Sequence, residues 1–280
     1  MSLKTIMVVM DTTAGVEQRL DIALQLAQSH DAHLTGLCVR TTPYVPQFVM
    51  GQLGPEVAEA QRKWSIEAAE TAQKLFESKA AAAGVRHEWR AVDGQLLEQT
   101  SLHAKYADLV VVSQFDPDGE MADGQDQLVD HLVLDAGRPV LVVPYCGTFA
   151  SVGKTVMVAW NATREATRAV SDALPFLQKA DWVNVVAVNP HGGTGRNGHG
   201  EIPSADICLS LARHGVKADA QSIEAHDMQV GDTLLSRITD EGVDLLVMGA
   251  YGRSRLRELV LGGATRHVLR HMTVPVLMSH

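Results

Sequence analysis

Short, almost continuously apolar segments alternate with longer amphipathic segments along the chain. In the first half, the apolar segments read TIMVVM, AHLTGLCV, DLVVV and PVLVVP. Such segments are typical of strands that are buried on both faces of a parallel sheet. The segment EVAEAQRKWSIEAAETAQKLFESKAAAAG has helical periodicity and predicts one long helix that stops at Gly84. This alternation predicts an α/β fold with a doubly wound parallel sheet and right-handed crossovers.

The same order of segments occurs twice. TIMVVMDTTAGVEQRLDIALQLA, from Thr5, is similar to TVMVAWNATREATRAVSDALPFL, from Thr155. Further along, DLVVVSQF from Asp108 matches DLLVMGAY from Asp244, and RPVLVVPY matches TVPVLMSH. The aspartate and the following strand proline are 31 positions apart in both halves. Because two strand pairs keep the same spacing, the sequence predicts an internal repeat.

The repeat divides the chain into two domains, residues 1–147 and residues 153–280, joined by the small-residue linker CGTFASVG. In doubly wound sheets, ligands bind beyond the carboxyl ends of the strands, where the strand order reverses. In the second domain this rule selects the turns after VMVAW and after DLLVMG as one candidate site.

Composition narrows the class of protein. The 280 residues are 46% hydrophobic, which supports a sizeable core, and the net charge of -9 argues against general nucleic-acid binding. No apolar segment approaches the ~18 residues of a membrane span, and the N-terminus does not resemble a secretion signal. The cysteines, Cys38, Cys146 and Cys208, are widely spaced and fit buried thiols in a reducing compartment. We therefore expect a cytoplasmic protein without a membrane or nucleic-acid partner.

The segment MGAYGRSRLRELVLGGATRHVL, residues 248–269, suggests a phosphate site. Two of its glycines lie just past a strand and two just before a helix, where bare backbone and a helix N-terminus both favour an anion. Two alternatives stay open: the glycines only shape turns, and Thr265 only caps the helix. The candidate ligand-contacting residues are Met248, Gly249, Gly252, Arg253, Gly262, Gly263, Ala264 and Thr265.

The first half lacks this pattern. The equivalents of Gly249, Gly252, Gly262 and Gly263 are Ser113, Asp116, Asp126 and Gln127. Residues 109–137 contain seven acids and no Lys or Arg, so a phosphate would be repelled there. The segment DPDGEMADG lacks the spacing of a calcium loop, and a solvated acidic face is the simpler interpretation. We therefore expect an anion site in the second half and none in the first.

The glycine pattern of residues 248–269 resembles the nucleotide signature of the universal stress proteins. The pattern is Gly-x-x-Gly, then nine residues, then Gly followed by a small residue. The resemblance extends over both halves and is weak over residues 40–100 and 189–225. It implies two five-stranded, Rossmann-like domains of adenine-nucleotide-binding type, whose strands near Val140–Val143 and Val274–Leu277 pair with each other. It also implies that ATP, with or without magnesium, binds through its phosphates at the glycine positions and Thr265. The residues that the resemblance assigns to adenosine are Ala159, Trp160, Asn161 and Val188.

The sequence departs from this family pattern at two positions. Gly263 stands where the family usually has Ser or Thr, which removes a hydroxyl and keeps the backbone donor. Asn161 stands where the family usually has Asp, so hydrogen bonding is kept but the charge that would hold a cation is lost. The first half keeps Asp11 and lacks the glycine signature. With the resemblance, we therefore expect one nucleotide site per chain, in the second half.

Other motifs in the second half carry less weight. GGTGRNG, residues 192–198, superficially fits a dinucleotide fingerprint, but Pro203 delays the helix that such a motif requires, so we interpret it as a loop. His191 and His199 have no third ligand at a convincing spacing. His267 and His271 are four residues apart on a helix, and His131 at the matching first-half position favours packing over metal binding.

No motif for nucleophilic catalysis or efficient phosphoryl transfer is found, so no catalytic residue is assigned and any ATP hydrolysis should be slow. The leading hypothesis is a nucleotide-binding stress or regulatory protein that self-associates, for example as a homodimer. The alternatives are a structural stress protein without nucleotide and a slow enzyme acting on an adenylated small molecule.

Overall fold

The computed structural model describes residues 2–41, 55–119, 124–189, 204–225, 228–252 and 263–280. The chain divides into two compact units, residues 3–138 and residues 139–280. Among the described residues, no helix is both long enough and apolar enough to cross a membrane.

The N-terminal unit is a parallel sheet in the order β3-β2-β1-β4. A short 3₁₀ helix precedes its last helix. Its elements are β1 Thr5–Val9, α1 Val16–His30, β2 His33–Arg40, α2 Pro55–Ala82, β3 His87–Asp93, α3 Leu96–Ala104, β4 Leu109–Ser113, the 3₁₀ helix Gln125–Gln127 and α4 Leu128–Asp135.

The C-terminal unit has the strand order β5-β10-β9-β6-β7-β8. All neighbouring pairs are parallel except β5 and β10. Its elements are β5 Val140–Val143, β6 Thr155–Ala159, α5 Arg164–Leu177, β7 Trp182–Val188, α6 Ala205–Arg213, β8 Asp219–Ile223, α7 Val230–Asp240, β9 Leu245–Gly249, α8 Ala264–His271 and β10 Val276–Ser279.

The predicted α/β fold with mostly parallel strands is confirmed. Every residue of β5 is buried, and so are the first four residues of β4 and the first four of β9, in agreement with the apolar segments of the sequence. The long helix predicted to stop at Gly84 is α2, which ends at Ala82. Hydrophobic burial on both faces of the strands therefore fixes the architecture.

The strands β5 and β10 pair as the resemblance implies, with Val276 opposite Val142 and Met278 opposite Val140. The last strand covers Val276–Ser279, two residues later than the predicted Val274–Leu277. Pro275 explains the shift, because proline lacks the N–H that a strand interior needs. Although β5 comes from the first sequence repeat, it packs in the C-terminal unit.

Asp244 holds the start of β6 beside β9. Its carboxylate accepts hydrogen bonds from the N–H groups of Gly153 at 3.0 Å, Lys154 at 3.2 Å and Thr155 at 2.9 Å, and from the Ser151 hydroxyl at 2.7 Å. The carboxylate thus orders the end of the linker and the first residue of the strand.

Candidate functional site

The turns after β6 and β9 begin at the same edge of the sheet. The two strands are parallel neighbours, and Ala159 lies opposite Met248 in the register. The Met248 side chain is buried in the core. Because Ala159 and Met248 are paired, the turns that follow them start side by side. The sequence analysis placed these two turns in one candidate site.

Asn161 shapes the turn after β6. Its Oδ1 accepts from the Thr163 hydroxyl at 2.8 Å and from the Thr163 N–H at 3.3 Å. Thr163 in turn caps α5, because its Oγ1 accepts from the N–H of Ala166 at 3.3 Å. The oxygen of Asn161 is thus used inside the turn, and the residue itself is exposed. Its contact with a ligand stays a prediction.

The strand β7 lies beside the turn after β6, and its last residue, Val188, is one of those that the resemblance assigns to adenosine. The N–H of Trp160 donates to the carbonyl of Val186 at 2.8 Å, which fixes the turn against this strand. Val188, the last residue of β7, is partly exposed. The next residue, Asn189, ties β7 to the segment after β8, because its Oδ1 accepts from the Ala225 N–H at 2.7 Å.

Gly249 makes room for the first turn of α5. A Cβ atom on Gly249 would lie 2.4 Å from the backbone nitrogen of Ala166 and 2.5 Å from the carbonyl carbon of Glu165. Both contacts are with backbone, which cannot move aside cheaply. The structure thus gives this glycine a packing role that the sequence analysis did not anticipate, and it brings the N-terminus of α5 to the end of β9.

Gly252 has no comparable packing reason to be glycine. The nearest atom to a Cβ built there is Oε2 of Glu165, at 3.8 Å, which is an ordinary van der Waals separation. Its φ also lies outside the left-handed region. Among the described residues, nothing in the protein's own packing excludes a side chain at position 252.

The N-terminus of α8 lies at the same turn. Gly263 is the N-cap residue and provides no side chain to cap the helix. Thr265 is buried, and its Oγ1 accepts from the N–H of Tyr251 at 3.4 Å. The hydroxyl therefore joins α8 to the turn after β9. Thr265 thus has a contact beyond its own helix, unlike a residue that only caps the helix. Arg253 and Gly262, two further candidate residues, lie outside the described residues.

The N-termini of α5 and α8 both approach the turn that follows β9. A helix N-terminus carries unpaired N–H groups and about half a positive charge, so each of the two favours an anion. The partly exposed residues at this turn are Tyr251, Gly252, Gly263 and Ala264. Chemically, the arrangement is suited to a phosphate group.

Glu165 is the residue that sequence reasoning missed. It lies in the first turn of α5 with 7% of its surface exposed, and its Oε1 is 3.5 Å from Nε of Arg164. Among the described residues, Oε2 has no hydrogen-bond partner. An acid in the first turn of a helix is common, so the sequence carries no signal for its burial.

The matching edge of the N-terminal unit is occupied by an arginine. Arg19 is 2% exposed, its Nη2 is 3.0 Å from Oδ2 of Asp11, and its Nη1 donates to Oγ of Ser113 at 2.6 Å. Ser113 is the sequence equivalent of Gly249. Burial alone would raise the pKa of Asp11, but the charge of Arg19 and hydrogen bonds from Thr13 outweigh burial and hold that pKa below its usual value.

The histidines weighed as metal ligands have other contacts or lie outside the described residues. Nε2 of His267 is 2.7 Å from Oδ1 of Asp232, which joins α8 to α7. The His267 and His271 rings are in contact, with centroids 4.4 Å apart. His191, His199 and the GGTGRNG segment lie outside the described residues.

Comparison with known proteins gives a family match in the C-terminal half. Residues 153–280 match the model of the universal stress protein family. A universal stress protein from Synechocystis, Slr1230, is 37% identical over 67 residues, which is 24% of this chain and 22% of that protein. The universal stress protein MJ0577 from Methanocaldococcus jannaschii is 44% identical over 39 residues, which is 14% of this chain and 24% of that protein. The alignments therefore span less than a quarter of the length of these relatives.

Solved structures resemble the whole chain. A universal stress protein from Archaeoglobus fulgidus aligns over 98% of this chain and 95% of its own, with a TM-score of 0.72 and 14% identity. The protein PA1789 from Pseudomonas aeruginosa aligns over 99% of this chain and 92% of its own, with a TM-score of 0.59 and 16% identity. At these identities, the likeness is one of fold.

Proposed function

Residues 153–280 belong to the universal stress protein family, and we propose that this half of the chain binds one adenine nucleotide, ATP, at the carboxyl ends of β6 and β9. The observation that carries the proposal is the approach of two helix N-termini to a glycine turn. One of the glycines, Gly252, is not required by the packing of the described residues. A glycine at such a position lets a ligand approach the backbone closely.

In this proposal the phosphates lie at the turn after β9. The N–H groups around Gly252, Gly263 and Ala264 donate to phosphate oxygens, and the dipoles of α5 and α8 add to the attraction. The Thr265 hydroxyl accepts from Tyr251, so its own proton is available for a phosphate oxygen.

Adenosine would lie over the turn after β6 and the end of β7. Asn161 contributes amide N–H donors there, and Trp160 and Val188 contribute partly exposed surface. The matching edge of the N-terminal unit already holds Arg19 in contact with Asp11 and Ser113. This internal ion pair supports one site per chain.

The proposed role is regulatory. A bound nucleotide would bias the conformation or the partners of the protein in a stress response. The expectation of buried thiols holds for Cys38, whereas Cys146 is exposed and Cys208 is partly exposed. The three free cysteines support a reducing compartment such as the cytoplasm. The sequence contains no motif for efficient phosphoryl transfer, so we expect any hydrolysis to be slow.

Exchange of residues between the two halves tests the site. Gly252→Asp installs the first-half residue beside Glu165, and we expect it to abolish ATP binding in equilibrium dialysis with magnesium. The reciprocal control, Asp116→Gly, should bind ATP as the parent does and gain no second site. ATP binding by Gly252→Asp at the parental affinity would show that the site is wrongly assigned.

A further inference from the structure

The carboxylate of Glu165 poses an electrostatic problem for the proposed site. The residue is 7% exposed, and Oε2 has no hydrogen-bond partner among the described residues. This oxygen lies 3.8 Å from the position that a Cβ of Gly252 would take. A negative charge thus lies beside the turn that would hold phosphates, in a setting where burial strengthens repulsion.

A divalent cation resolves this conflict. Magnesium binds in proteins through one or two carboxylates together with substrate phosphates and water, so one carboxylate with a free oxygen suffices when a triphosphate is present. In Glu165 that oxygen is Oε2, because Oε1 is 3.5 Å from Nε of the exposed Arg164. Among the described residues, no group of three or more His, Cys, Asp or Glu side chains could hold a metal ion by itself. A cation at this position would therefore depend on the nucleotide.

The two halves differ in where they place their acid. By the repeat alignment, Asp11 corresponds to Asn161, and Gly15 corresponds to Glu165. In the N-terminal unit the acid is neutralised by Arg19 at 3.0 Å. In the C-terminal unit the charge is missing from the turn after β6 and is present four residues later, on α5.

We infer that Glu165 is a ligand of the divalent cation that accompanies the phosphates of the bound nucleotide. This inference rests on the proposed nucleotide site. Glu165 supplies the charge that Asn161 lacks, and it makes binding selective: it repels a metal-free triphosphate and attracts the metal complex.

The experiment compares ATP binding with excess magnesium and with EDTA, by calorimetry, for the parent and Glu165→Gln. We expect the parent to bind at least about tenfold more tightly with magnesium, a difference typical of one charge-assisted contact. In Glu165→Gln this ratio should fall close to one, and metal-free binding should be unchanged or tighter because the repulsion is gone. Because the substituted side chain has the same size and the lost charge is paired only with Arg164, whose side chain is 75% exposed, the variant should fold, which its urea midpoint would verify.

The matched control is Glu17→Gln. Glu17 lies in the first turn of α1, and its side chain is 65% exposed and 3.4 Å from Nζ of Lys79. The same loss of charge there should leave the magnesium ratio at the parental value. Replacement of magnesium by Mn²⁺ gives a direct readout, since electron paramagnetic resonance counts bound Mn²⁺. One Mn²⁺ per chain should bind the parent only when ATP is present, and Glu165→Gln should lose it.

The other outcomes separate the two hypotheses. If the parent binds no ATP under either condition, the proposed function itself is wrong. If the parent binds ATP and Glu165→Gln keeps the parental magnesium ratio, the nucleotide site stands and the role of Glu165 is overturned. An equal loss of affinity with and without magnesium would overturn it as well, because Glu165 would then contact the nucleotide directly.

Discussion

At the end of β9, Gly249 lies against the first turn of α5, whereas a Cβ on Gly252 would meet only Oε2 of Glu165, at 3.8 Å, among the described residues. The sequence presents both glycines as one motif. Their surroundings differ because the first is fixed by helix packing, while the second has no steric requirement among the described residues. A shared motif thus combines a residue needed for the fold with one suited to a ligand.

This difference predicts that substitution by alanine lowers stability at Gly249 and weakens ATP binding at Gly252. Gly249→Ala should destabilise the protein by about 2 kcal/mol, a typical cost of overpacking, because its Cβ would lie 2.4 Å from the nitrogen of Ala166. Gly252→Ala should change stability by less than about 0.5 kcal/mol and should weaken ATP binding. Urea unfolding and calorimetry measure the two effects, and equal losses of stability would contradict the assignment.

The ion pair of Arg19 and Asp11 should stabilise the N-terminal unit. Asp11→Asn leaves the buried Arg19 charge without its anion, and we expect a loss of about 3 kcal/mol near neutral pH. The pKa of Asp11 is lowered in the folded protein, so the pair stabilises fully above the unfolded pKa of about 4, and its effect is lost as the pH falls through the lower pKa of the folded protein. Urea midpoints of parent and variant should therefore converge as the pH falls below about 4, and a constant difference would exclude the ion pair as the cause.

At the scale of elements, an aspartate at the start of the fourth strand of each repeat holds the first strand in place. Asp244 accepts four hydrogen bonds, from the residues between Ser151 and Thr155. Its repeat equivalent Asp108 accepts two, from the N–H groups of Lys4 at 2.8 Å and Thr5 at 3.0 Å. The additional bonds of Asp244 order the linker before β6.

Substitution by alanine should expose this difference. At about 1 kcal/mol for each hydrogen bond, Asp244→Ala should cost roughly 4 kcal/mol and Asp108→Ala roughly 2 kcal/mol. Urea unfolding measures both losses. Equal losses would mean that the bonds to the linker contribute nothing to stability.

The elements could largely be predicted from the sequence, whereas several contacts at the site could not. Apolar segments and helical periodicity identify strands and helices because burial on both faces leaves a local pattern. The approach of Glu165 to Gly252 joins positions 87 residues apart, and the contact of Arg19 with Ser113 joins positions 94 apart. Such contacts arise only when helices pack on the sheet, so no local pattern records them.

At the scale of the whole molecule, the two repeats share a fold and differ at the same edge of their sheets. In the C-terminal unit, two helix N-termini approach an open glycine turn. In the N-terminal unit, a buried arginine joins the turn after β1 to the end of β4. We interpret this difference as specialisation, with one half binding a ligand and the other contributing to the structure.

The most direct test of this account is the number of ATP molecules that each intact chain binds. Native mass spectrometry of the freshly purified protein, before and after addition of ATP and magnesium, counts them without an assumption about turnover. The account predicts one adenine nucleotide per chain, lost in Gly252→Asp and kept in Asp116→Gly. If each chain bound two nucleotides, the contacts of Arg19 with Asp11 and Ser113 would not prevent binding in the N-terminal unit, which would contradict the account. If no nucleotide bound, the proposed site would be wrong and the glycines would serve only to form turns.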